Sequence, residues 1–247
     1  GHCIIECEPR LQGVFRRSFP AATIYAATPD GGLPREIAGR DIDFSTSAGS
    51  IPRFLRRDLG DFPRHNGYLE ADPARVALWR ERLSRLGPGL KVGVSWEGGV
   101  RKTRRALRSL PLERWLPILQ TPGARFVSLQ YTADAGVATS AFRDQYGIAI
   151  EHWTEAIDDY EDTAALVCAL DLVVSVCTAV IHLGGALGRP VWVMAPYSPE
   201  WRYGFSGDTM PWYPSVRIFR QPAFGEWEPV TLSVANELGR LASVSAG

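Results

Sequence analysis

Two segments of this chain carry residue types and spacings suited to holding an anion. In the first, Ser175-Val-Cys-Thr-Ala-Val-Ile-His-Leu-Gly-Gly-Ala-Leu-Gly-Arg-Pro, an apolar run ends and Thr178 stands where a helix cap belongs. Gly188 and Pro190 would stop that helix. Its first turn would offer backbone N–H groups and the positive end of a helix dipole, both of which suit phosphate. His182 follows Thr178 by four residues and shares its face. An ordinary strand–helix joint with His182 packed inside it fits the same letters. The second segment, Ser95-Trp96-Glu97-Gly98-Gly99 followed by the basic run Arg101 to Ser109, reads as a strand-end loop. Arg101, Lys102 and Arg104 there suit forked or point contacts to a diphosphate. The run from Arg101 to Arg108 contains no aromatic residue, which argues against base stacking on a nucleic acid. In a third segment, Glu155 to Leu166, Asp162 or Tyr160 could meet a base or ribose, although acids at a helix start also answer its dipole.

Composition narrows the field. The 247 residues hold 27 Lys+Arg and 27 Asp+Glu, so no global field draws the chain to nucleic acid or anionic lipid, and an anion site must be local. No apolar run approaches the ~20 residues of a membrane helix, and no signal peptide is recognised. Four cysteines without a ligand-spaced His or Cys pair predict reduced thiols, no metal and a cytoplasmic protein. Cys177, next to a helix start, is expected to have a lowered pKa and to be reactive. Phosphate-loop, GxGxxG, GxSxG and HExxH signatures are absent, which weakens the NTPase, dehydrogenase, hydrolase and zinc-peptidase readings.

These residues need elements to position them. Strands are expected at His2–Glu6, Thr23–Ala26 and Ile42–Ser45, with a helix at Pro9–Arg17. Asp72-Pro73 should cap an amphipathic helix carrying Val76, Trp79 and Leu83, which Gly87-Pro88-Gly89 ends. From Leu90 the pattern alternates. Strands are expected at Lys91–Trp96, Arg125–Gln130, Ile148–His152, Leu172–Val176, Val191–Met194 and Val216–Phe219. Helices are expected at Leu112–Leu119, Ala138–Asp144, Thr163–Leu170 and Thr178–Leu187. Near-continuous apolar strands joined by helices predict a doubly wound parallel sheet, whose ligands bind at the carboxyl ends of the strands. A chain that opens on a strand, without Met, is expected to be an excised fragment.

Taken in order, Lys91-Val-Gly-Val-Ser-Trp-Glu-Gly, Arg108-Ser-Leu-Pro-Leu, Phe126-Val-Ser-Leu-Gln130, Asp162-Thr-Ala-Ala-Leu, Leu170-Asp-Leu-Val-Val-Ser-Val and Thr178-Ala-Val-Ile-His-Leu resemble the heptosyltransferase-like GT-B glycosyltransferases. Pro190-Val-Trp-Val, Pro199-Glu-Trp-Arg and Pro211-Trp-Tyr-Pro-Ser-Val-Arg-Ile-Phe-Arg-Gln221 extend the resemblance, in the form often fused to tetratricopeptide repeats in bacteria. The resemblance implies an α/β, GT-B-like architecture: residues 1–86 as a partial acceptor-side α/β domain with linker, and 87–247 as a Rossmann-like nucleotide-sugar-binding domain. It further implies metal-independent transfer of a hexosyl or heptosyl group from a nucleotide diphosphate-sugar to an unknown protein or glycan acceptor, with no cofactor. On it, Thr178, Ala179 and His182 would meet the diphosphate together with the Ser95–Arg101 loop. Gln130 and the Asp159, Tyr160, Asp162, Thr163 stretch would flank the nucleoside, with Ser109 beside the basic loop. Cys177 stands where these enzymes usually carry Asp, which bears on how the sugar is held, and no residue is assigned as catalytic base. Alternative readings are a non-catalytic nucleotide-sugar-binding module of the same fold and a GT-B-type nucleotide-sugar epimerase, for which no acid/base pair is evident.

Overall fold

A computed structural model describes residues 1–29, 31–32, 34–99 and 105–245 of the chain. It begins with strands β1 (Ile4–Cys7) and β2 (Thr23–Ala26), paired in parallel with Ile4 opposite Thr23 and Cys7 opposite Ala26. Helix α1 (Gln12–Ser18) joins them after a 3-10 turn at Pro9–Leu11. Short helices α2 (Arg35–Ala38) and α3 (Pro52–Leu55) follow within largely irregular chain. The strand expected at Ile42–Ser45 is not formed: these residues are irregular chain with a bend at Asp43, and Phe44 is 96% exposed. Ile42 and Phe44 alternate as a strand would, but no sheet edge takes them, and alternation alone does not stabilise a strand.

Helix α4 (Pro73–Ser84) starts as its sequence dictates. The Asp72 carboxylate accepts from the N–H groups of Ala74 and Arg75, and Pro73 occupies a first-turn position where no donor is lost. Beyond it come β3 (Leu90–Ser95), α5 (Arg105–Arg108), α6 (Leu116–Leu119), β4 (Ala124–Ser128), α7 (Ala135–Tyr146), β5 (Ile150–Glu151), α8 (Thr154–Asp158) and α9 (Tyr160–Ala169). The order ends with β6 (Leu172–Val176), α10 (Ala179–Ala186), β7 (Val191–Ala195), β8 (Val216–Arg220) and α11 (Glu228–Ser245).

Strands β3 to β8 form one parallel sheet in the order β5-β4-β3-β6-β7-β8. The chain winds outward from β3 to β5, returns to the middle, and winds outward the other way from β6 to β8. The order therefore reverses between β3 and β6, and a crevice opens there at the carboxyl ends. Every residue of Leu172–Val176 is buried because both sheet faces are covered. Val173 packs with Val76, Trp79 and Leu83 of α4 on one face, while Leu172, Val174 and Val176 pack with Val230, Val234 and Leu238 of α11 on the other. Each such aliphatic side chain contributes about 1.5–3 kcal/mol by leaving water.

The early elements are tied onto this sheet. Arg17 forks onto Glu161 of α9 at 2.9 and 3.1 Å and also donates to the carbonyl of Glu70. Residues 66–69 run against the end of α10, where Tyr68 and Leu69 both donate to the carbonyl of Ala186. Gly188, at φ 68°, leaves no room for a side chain, since a Cβ would collide with the carbonyl of Asn66. Among the described residues no helix is long and apolar enough to cross a membrane.

Candidate functional site at the sheet switch point

Neighbours β3 and β6 put Ser95 opposite Ser175, so the chain leaving β3 and the chain leaving β6 diverge from one point. Gly98 packs directly on Thr178: a Cβ there would overlap the Thr178 methyl and stand 3.0 Å from the carbonyl oxygen of Cys177. Glycine at this position is what allows the two loops to touch. The loop is shaped by Gln130, which is fully buried. Its Oε1 accepts from Ser95 Oγ at 3.1 Å and from the N–H groups of Trp96 and Glu97 at 3.0 Å each, and its Nε2 donates to the carbonyl of Glu97. Ser109 Oγ accepts from Gly98 N–H at 3.3 Å, and Tyr131 Oη accepts from Gly99 N–H at 2.9 Å. Trp96 is buried, and its carbonyl accepts from the N–H of Leu110. Beside this loop lies an open recess of about 200 Å³ lined by Trp96, Glu97, Leu112, Thr132 and Asp134 among others. Arg101, Lys102 and Arg104 lie outside the described residues.

Thr178 is the residue before α10, as the sequence requires, but the expected side-chain cap is not made. Among the described residues its Oγ1 pairs instead with Ser175 Oγ at 3.0 Å. That turns the hydroxyl back toward the strand, so it takes up none of the first-turn N–H groups of α10, and Ala179 at the helix start is exposed. Cys177 corrects a second expectation. It is buried, and loss of solvent drives its thiol pKa up to about 12, with Tyr203 beside it, so a reactive thiolate does not form. His182 lies between aromatic rings, 6.0 Å from Tyr203 and 5.8 Å from Tyr213. Burial, and secondarily the charge of Arg202, lower its pKa to about 4, so the imidazole is neutral at neutral pH.

The acidic stretch has other partners. Asp159 caps α9 through Glu161 N–H, and with Asp162 it grips Arg75 of α4 at 2.6 and 2.8 Å. Asp162 also accepts from Trp79 Nε1, and Thr163 Oγ1 donates to the carbonyl of Ala156. Tyr160 is half-buried beneath the guanidinium of Arg10. The structure thus brings Ser95, Trp96, Ser109, Gln130, Cys177, Thr178, Ala179 and His182 to the crevice. It engages Asp159, Asp162 and Thr163 in holding α9 to α4 and α8.

Residues without individual assignment in the sequence complete the crevice. Glu200, in the chain leaving β7, receives Arg108 Nη1 on one carboxylate oxygen at 2.7 Å and Arg202 Nη2 on the other at 2.8 Å. Arg220 donates to the carbonyls of Tyr203, Gly204, Ser206 and Gly207, which fixes the base of that loop. Gln221 holds the loop's other end, its Oε1 accepting from Tyr197 N–H at 2.9 Å. Only the motifs Arg108-Ser-Leu-Pro-Leu, Pro199-Glu-Trp-Arg and Pro211-Trp-Tyr-Pro-Ser-Val-Arg-Ile-Phe-Arg-Gln221 signalled these residues; the pairing of Arg108 with Glu200 spans 92 positions of sequence. Among the described residues no three His, Cys, Asp or Glu side chains come together as a metal site.

A six-stranded, doubly wound parallel sheet with its crevice at the β3/β6 reversal has the fold of the GT-B glycosyltransferases. In solved structures the chain is similar to the E. coli ADP-heptose LPS heptosyltransferase II, with TM-score 0.51 and 15% identity over 77% of this chain and 59% of that one. It is similar also to a family 9 glycosyl transferase from Veillonella parvula, with TM-score 0.51 and 14% identity over 71% and 52% of the two chains. In sequence it is 37% identical over 254 residues to Protein FlbA of Caulobacter vibrioides, covering 98% of this chain. The chain spans 42% of the length of that curated relative. No family model matches it.

Proposed function

We propose that this chain binds the nucleoside diphosphate of a sugar donor at the β3/β6 crevice, and that the whole protein transfers the sugar, hexosyl or heptosyl, to an acceptor. The observation that carries the reading is the contact of Gly98 with Thr178 at the reversal of strand order, which sets a strand-end loop against the start of α10. Backbone N–H groups of the uncapped first turn of α10, with arginines alongside, are oriented before the reaction begins. As the acceptor oxygen bonds to the anomeric carbon, the bond from that carbon to the diphosphate oxygen breaks. The diphosphate leaves with the electron pair, and its growing charge falls where those donors point. This stabilisation operates without a metal. The acceptor's proton goes to a base that is not assigned to a residue of this chain. The recess beside Trp96 is proposed to take part of the nucleoside, with Asp134 to accept from ribose hydroxyls, while the Glu97 carboxylate beside it pairs with Arg105.

The curated relative is more than twice as long as the stretch matched here, which is compatible with further acceptor-side structure and tetratricopeptide repeats in the whole protein. We place the activity in the cytoplasm. The second reading, a binding module that does not turn over its donor, is favoured by one observation: Cys177 is a buried neutral thiol where the resembling enzymes carry a carboxylate. Incubation with UDP-, GDP-, ADP- and CDP-sugars separates the two. Release of nucleoside diphosphate supports transfer, binding without release supports the module, and neither binding nor release at millimolar donor removes both.

A further inference from the structure

We propose that Glu200 holds the place of a donor phosphate between Arg108 and Arg202, and that a nucleoside diphosphate binds by displacing it. The inference rests on the nucleotide-sugar reading above and adds to it the two arginines that grip the diphosphate and the internal anion that competes for them.

The geometry is that of an occupied anion site. Each oxygen of one carboxylate meets a different guanidinium, at 2.7 and 2.8 Å. Arg108 ends α5 in the chain that leaves β3, and Arg202 lies in the chain that leaves β7. Both stand close to α10. The charge of Arg108 is felt by Cys177, the residue before its cap, and that of Arg202 by His182 in its first turns. Guanidinium forks accept carboxylate and phosphate alike, so the same pair suits both.

Burial explains why an internal anion is needed. The Arg108 side chain is only 12% exposed, and a guanidinium so enclosed requires an anion at all times. Glu200 supplies it while the site is empty. The carboxylate is more open, at 36%, so it can leave to water when a better anion arrives. The loop that carries it is held at one end by Gln221 and across its base by Arg220, so the exchange moves a side chain and not the loop. A diphosphate carries more negative charge than a carboxylate and offers more oxygens to the two guanidiniums.

The test is calorimetry of the full-length protein with ADP, UDP, GDP and CDP, and with the matching nucleosides. Glu200→Gln removes the competing charge and should tighten the best-bound diphosphate by about fivefold or more, with no gain for its nucleoside. Arg108→Ala and Arg202→Ala should each weaken the diphosphate by about tenfold or more and leave the nucleoside unmoved. Thermal unfolding checks that each variant folds. If Glu200→Gln does not fold, Glu200→Asp, whose shorter arm cannot span both guanidiniums, should tighten the diphosphate in the same direction. A diphosphate that binds wild type with affinity unchanged or weakened by Glu200→Gln overturns the displacement and leaves the nucleotide reading standing. Binding by neither wild type nor Glu200→Gln overturns both.

Discussion

Replacing Gln130 by Leu should cost stability and misplace the loop after β3, by an amount that follows from its bonds. The side chain is fully buried, and its Oε1 is the acceptor for two backbone N–H groups, those of Trp96 and Glu97, and for the Ser95 hydroxyl. Leu fills a similar volume but accepts nothing. A buried donor left unpaired costs ~1–3 kcal/mol, so the two amides together imply a loss of about 3–5 kcal/mol. That is a large share of the ~5–15 kcal/mol that keeps a domain folded. At roughly 2–4 °C per kcal/mol for a chain of this size, the midpoint of thermal unfolding should fall by about 6–20 °C. Urea titration with an unchanged slope would confirm that the native state, and not the unfolded one, has been altered. Gln130→Glu keeps an acceptor but sets its second oxygen against the carbonyl of Glu97, which now receives Nε2–H. Its stability should therefore improve on mild acidification, when a protonated carboxyl can donate there. A Gln130→Leu protein that loses less than about 1 kcal/mol would show that the three bonds do not hold the loop.

His182 has a folded pKa of about 4, depressed from 6.5, so the unfolded chain binds the extra proton first and acidification favours unfolding. Stability should fall as pH drops through the 6.5-to-4 window, by roughly 3 kcal/mol in all, and the difference between wild type and His182→Gln across that window isolates the effect. Cys177, held as a thiol by burial, should resist iodoacetamide in the native protein while exposed Cys3 reacts; peptide mapping that finds Cys177 alkylated before unfolding would contradict its placement. Arg17→Ala should cost about 1–3 kcal/mol in urea unfolding, because it strips Glu161 of a forked, partly buried partner.

Much of the fold was legible because its signals are local. Leu172–Val176 reads as a strand buried on both faces and is one, and Asp72-Pro73 caps α4 as those two residues dictate. By the edge rule for parallel sheets the loops after Trp96, Gln130, His152, Val176 and Met194 should hold the site, and the strand order reverses between the first and fourth of these strands. Helix α11 went unread although Val230, Val234 and Leu238 recur at helical spacing. Ile42 to Ser45 misled because alternation was present and a partner strand was not. What sequence could not show were choices among distant partners. Thr178 turns to Ser175 and not to its helix, Asp162 is taken by Trp79 and Arg75 from 83 and 87 positions away, and Glu200 finds Arg108 across 92. Such pairings are set by how β3, β6 and β7 lie side by side.

The central claim, that a donor diphosphate sits between the loop after β3 and the start of α10, is tested most directly by hydrogen–deuterium exchange with and without nucleoside diphosphate. Backbone N–H groups that bond phosphate exchange more slowly, so a peptide covering Thr178–Val180 at the uncapped start of α10 should gain protection with the best-bound of ADP, UDP, GDP and CDP, and less with the matching nucleoside, while Trp96–Gly99, whose N–H groups already bond Gln130, Ser109 and Tyr131, should change less. Saturating diphosphate that leaves the start of α10 exchanging as before, or that protects a distant part of the chain, would contradict the account.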